Sequence, residues 1–68
     1  MSDRRWSLDP VDVEILAMLA DGLTVDGVAR RVGLSARTVR RRLRGLADEL
    51  GVETTIETVV HAVRDGVI

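Results

Sequence analysis

The sequence has 68 residues and no cysteine, enough for one small domain that buries about 60% of the surface its unfolded form exposes, with no disulfide or thiolate metal site to reinforce it. No apolar run approaches the roughly 20 residues that span a bilayer, and Met1-Ser2-Asp3-Arg4-Arg5 is not followed by an apolar stretch of signal-peptide length, so a cytoplasmic chain is expected. The formal net charge of −1 hides an uneven distribution: residues 30–44 hold seven arginines and no acid, against three arginines and eleven acids elsewhere.

An all-α fold of four helices is expected, at about 10–21, 25–32, 36–50 and 55–65, with residues 1–7 as an arm or linker and residues 8–68 as the domain. Asp9-Pro10 starts the first helix, because Asp is a good N-cap and Pro loses nothing at the first helical position. Val11, Ile15, Leu16 and Leu19 share one face, and Gly22 supplies a left-handed end. Thr24 caps a short second helix with Val28 and Val32 inward, a weak point at Gly27, and Gly33 closing it. Ser35 caps the third and longest helix, whose Val39, Leu43, Leu46 and Leu50 recur at spacings of 4, 3 and 4. Thr54-Thr55-Ile56-Glu57 reads as a capping box for the fourth, with Ile56, Val59, Val60 and Val63 as its expected inner stripe and Gly66 closing it. The short Gly33-Leu34 link between the second and third helices, followed by a capping serine, is the spacing of a helix-turn-helix.

The charge asymmetry makes one positive face on an otherwise acidic body, which suits a polyanion. Stepping 100° per residue from an inward Val39, Leu43, Leu46 and Leu50 stay within about 40° of it, whereas Arg37, Arg41 and Arg44 lie roughly 140–200° away. Arg40 and Arg42 fall on opposite flanks. Ser35 and Thr38, at the start of the helix, can offer donors to a phosphate with help from the helix dipole. Phosphate contacts would fix the register of such a helix and guanidinium contacts with base edges its specificity. Arginine's fork matches O6 and N7 of guanine. The chain has no Asn or Gln, so the usual bidentate reader of adenine is missing and G-containing half-sites are expected.

The run Leu8-Asp9-Pro10, Glu14-Ile15-Leu16-Ala17-Met18-Leu19-Ala20-Asp21-Gly22-Leu23-Thr24, Val28-Ala29-Arg30-Arg31-Val32-Gly33-Leu34-Ser35, Thr38-Val39-Arg40, Leu43, Leu50-Gly51-Val52, Glu57 and Gly66-Val67-Ile68 resembles the LuxR-type (GerE-like) helix-turn-helix domain. The likeness covers residues 8–68. It implies a four-helix DNA-binding unit whose third helix enters the major groove and whose fourth joins two subunits on a two-fold site. Carried over by position, it implies that Arg40, Arg41 and Arg44 read bases and that Thr38 and Arg42 touch the backbone. Ser35 and Arg37 are grouped with the backbone contacts. Thr58, His61, Ala62 and Asp65 are expected at the subunit contact of a homodimer. The family usually follows a sensor, receiver or ATPase domain, as the output domain of a response regulator does, and a missing domain of that kind or RNA polymerase would be the protein partner. The chain departs from the family at Val25-Asp26-Gly27, where polar or basic residues are usual, and at Arg41 and Arg42, where an uncharged residue and a histidine are common.

Other residues keep two readings. His61 suits an ordinary surface position or the helix 4 contact, and it lacks partners for a metal site. Val13 and Ala17 are either scattered surface residues or a docking patch. Trp6 packs on the open end of the bundle or anchors a partner, and Glu14 is within reach of Arg30 or Arg37. With one histidine, no cysteine and no glycine loop to cradle a phosphate, neither an enzyme nor a cofactor is expected. The leading function is sequence-specific binding of double-stranded DNA in transcriptional regulation. The rivals are a promoter-binding module like sigma-factor region 4, and a protein-interaction module docking on an acidic partner.

Overall fold

Local capping chemistry sets where each helix begins. A computed structural model describes residues 6–68, so of the expected arm over 1–7 only Trp6 and Ser7 are described. Helix α1 spans Pro10–Ala20, α2 Val25–Val32, α3 Ala36–Leu50 and α4 Thr55–Arg64, and no strand occurs among the described residues. Asp9, Thr24, Ser35 and Thr54 are the N-caps, each accepting from a backbone N–H in the first turn. Gly33 and Gly51 close α2 and α3 at φ of 72° and 71°, a left-handed geometry that a side chain resists.

Two of the four starts are reciprocal boxes. The Thr54 hydroxyl accepts from the Glu57 N–H while the Glu57 carboxylate accepts from the Thr54 N–H and hydroxyl. Asp9 and Asp12 make the same exchange at α1. The Thr54 hydroxyl holds the Glu57 carboxyl below its ordinary pKa, and the Asp12 backbone N–H, then the Arg42 guanidinium, do the same for Asp9. Carboxylates whose pKa is lower in the folded than in the unfolded chain stabilise the fold above their unfolded values, and that contribution disappears as pH falls through the folded ones. We therefore expect a melting temperature that is flat near neutrality and declines from about pH 4.5 downward. In Asp9→Asn/Glu57→Gln this decline should be shallower, and an equally steep acid limb in the double variant would count against the assignment.

The helices close a ring in which α1 meets α2 and α4, and α3 meets α2 and α4. Its centre holds Ile15 and Leu16 of α1, Val28 and Ala29 of α2, Val39, Leu43 and Leu46 of α3, and Ala62 of α4. Trp6 covers one end, 3% exposed, and its indole N–H donates to the Asp65 carboxylate at 3.3 Å. The packing role expected of Trp6 is therefore observed.

Helix α4 corrects the expected inner stripe. Ile56, Val60 and Val63 are 75%, 40% and 55% exposed, while Thr58 and Ala62 are fully buried. Val59 is half-buried at the edge of the core. Small side chains let the backbone of α4 approach its neighbours, and the Thr58 hydroxyl is satisfied by donating to the Thr54 carbonyl at 3.2 Å. The larger branched residues are left on the outside. Thr58 and Ala62, expected at a subunit contact, accordingly have no surface to offer one.

Candidate nucleic-acid interface

The turn between α2 and α3 positions the arginine-bearing helix. Gly33 adopts its left-handed conformation and the Leu34 N–H reaches back to the Ala29 carbonyl at 3.0 Å. Leu34 packs against the core, which fixes the angle at which Ser35 starts α3. The Ser35 hydroxyl accepts from the Thr38 N–H at 3.1 Å and donates to the Thr38 hydroxyl at 3.0 Å. That geometry leaves the Thr38 hydroxyl proton available for an outside acceptor, at the positive end of the helix dipole.

Along α3, Val39 and Leu43 turn inward and Arg37, Arg40, Arg41 and Arg44 turn outward, all four exposed. These four line one shallow groove on the outer face. Among the described residues Arg37, Arg41 and Arg44 form no ion pair, whereas Arg40 lies 3.9 Å from the Asp26 carboxylate. Within the described residues three guanidinium groups are thus left to meet an anion, and the fourth is shared. Glu14 pairs with neither Arg30 nor Arg37 among the described residues.

Arg42, also expected at the DNA backbone, does not line that groove. Its Nη1 donates to Asp9 Oδ2 and to Asp12 Oδ1, both at 3.1 Å. The Asp12 side chain is only 9% exposed, and the two carboxylates hold the arginine's proton more tightly than water does. Arg42 ties the middle of α3 to the start of α1. The Asp9–Asp12 spacing was readable as an N-cap and N3 pair, but a partner 33 residues away leaves no local signal.

Of the residues expected at a subunit contact, Asp65 is exposed and accepts from Trp6, and His61 is half-buried. Ile56, Val60 and Val63 recur at spacings of 4 and 3 along α4 and make an apolar stripe on its outer side. No group of residues able to hold a metal occurs among the described residues, and none of the described helices is long and apolar enough to cross a membrane.

Residues 13–55 match the family described as "Homeodomain-like domain". The match begins within α1 and ends on the first residue of α4. Curated relatives include proteins named "Putative HTH-type transcriptional regulator" from Mycobacterium tuberculosis and Mycobacterium bovis, each 31% identical over 64 residues and matching 93% of this chain. The chain spans 7% of the length of those relatives. No solved structure matches it.

Proposed function

The chain belongs to the homeodomain-like family of helix-turn-helix domains, and on that premise we propose that it binds double-stranded DNA sequence-specifically, as a homodimer, in transcriptional regulation. The observation that carries this reading is the outer face of α3, where Arg37, Arg40, Arg41 and Arg44 converge on one groove. Helix α3 enters the major groove, and Arg40, Arg41 and Arg44 face base edges there. Arg37 and the Ser35-Thr38 start of the helix meet the backbone.

The subtype we propose is the LuxR-type. Its support is α4, a helix beyond the stretch that matches the homeodomain-like family. The exposed stripe of Ile56, Val60 and Val63, beside His61 and Asp65, is the surface on which two subunits meet. Exposed apolar stripes of this kind mark interaction sites. The relatives are named as transcriptional regulators and are far longer, so the role fits an output unit governed by a sensor or receiver elsewhere. RNA polymerase is the further partner such a unit would touch. The unit itself works by binding, with no catalytic step.

Selection from a random-sequence duplex library, followed by gel shifts at two salt concentrations, tests the reading. The recovered duplexes should share G·C pairs one helical turn apart. Arg41→Ala should reduce the preference for one of those pairs by roughly tenfold. Absence of binding to any duplex at low salt would remove DNA from the account and leave an acidic protein partner.

A further inference from the structure

Arg40 stands apart from the other arginines of the α3 face. It is turned about 100° from the inward Val39, on the flank where a side chain can reach either a base edge or a phosphate. Asp26, in the first turn of α2, places Oδ1 3.9 Å from Arg40 Nη2, and the two side chains are 68% and 63% exposed. In open water such a pair contributes little. Docking on a duplex expels that water and strengthens the attraction, and it brings phosphate oxygens toward a carboxylate that repels them. The same flank carries more acid: Arg40 and Arg44 border a second groove together with Asp48 and Glu53. A phosphate is therefore opposed on the side of Arg40 that faces α2 and the α3–α4 connection.

We propose that Asp26 is a positioning residue for specificity. Its carboxylate engages one edge of the Arg40 guanidinium and keeps phosphate away, so that the remaining N–H groups are left for the O6 and N7 of a guanine. Asp26 lowers affinity for DNA in general and raises discrimination. A lone arginine on this flank would settle on the nearest phosphate, the strongest anion available to it. The proposal rests on the DNA-binding reading above.

The test uses the duplex that the wild-type chain recovers from a random library, copies of it with single G·C pairs changed to A·T, and a random-sequence duplex. Asp26→Asn, which keeps shape and removes charge, should bind the random duplex several-fold more tightly. Its salt dependence should steepen by nearly one, as Arg40 gains a phosphate. Its discrimination at one G·C pair should fall roughly tenfold, and Asp26→Glu should restore part of it. In an Arg40→Ala background the same Asp26→Asn change should leave discrimination unaltered. Far-ultraviolet circular dichroism on each variant separates these effects from loss of fold. If wild type discriminates and Asp26→Asn discriminates equally well, the positioning role is wrong while the DNA-binding reading stands. An equal loss with and without Arg40 would show that Asp26 acts on the duplex directly, which also overturns it. A wild-type chain that treats all duplexes alike removes the underlying reading instead.

Discussion

Arg42→Ala should lower the melting temperature by on the order of 10 °C while leaving base discrimination intact at temperatures where the variant is folded. The cause is Asp12. Its carboxylate is 9% exposed and receives Arg42 Nη1 at 3.1 Å, and removing the donor leaves a buried charge without its partner. Asp9 loses the same donor, although it keeps its exchange with the Asp12 backbone. Adding Asp12→Asn to Arg42→Ala should recover part of the loss, since the unpaired charge then disappears. Thermal melts of the two single variants and the double variant give the coupling between the two residues. A purely additive outcome would mean that the contact is incidental. The contrast with Arg41 is sharp, because Arg41→Ala removes an exposed side chain that forms no ion pair among the described residues and should leave melting nearly unchanged.

Val60→Asp should weaken binding to a two-half-site duplex by roughly 100- to 1,000-fold and leave binding to a single half-site nearly untouched. Val60 lies in the middle of the exposed stripe on α4, 40% exposed between Ile56 at 75% and Val63 at 55%. A charge there opposes burial of the stripe against a second copy, yet it stays in water in the monomer and disturbs no core packing. Sedimentation should show the wild-type chain associating and the variant remaining a monomer under the same conditions. Two-site binding by Val60→Asp at full strength would place the subunit contact somewhere other than α4.

Much of the architecture was legible locally. Four caps and the closing glycines are short-range chemistry, and they fixed the helix boundaries to within a residue or so at each end, with Asp21 and Asp65 capping rather than extending α1 and α4. The periodicity of Val39, Leu43 and Leu46 found the inner face of α3, because a long helix with a single apolar stripe has one way to bury it. The outward arginines followed from the same geometry. Helix α4 was not legible in this way. Its Ile56, Val59, Val60 and Val63 share an arc of about 100°, so periodicity and hydropathy both point to that side as the inner one, whereas Thr58 and Ala62, on a neighbouring side, are the residues buried. The ring of helices instead took the small Thr58 and Ala62 inward, where close approach of backbones is possible.

The arginine-rich helix thus divides along a clear line. The sequence by itself determined that α3 exists, where it begins and ends, and that arginines crowd its outer face, because caps and periodicity act over a few residues. Only the tertiary structure decided which arginines remain available. It gave Arg42 to Asp9 and Asp12 and set Arg40 beside Asp26, since ion pairs between helices depend on how those helices cross. No spacing along the chain encodes that crossing.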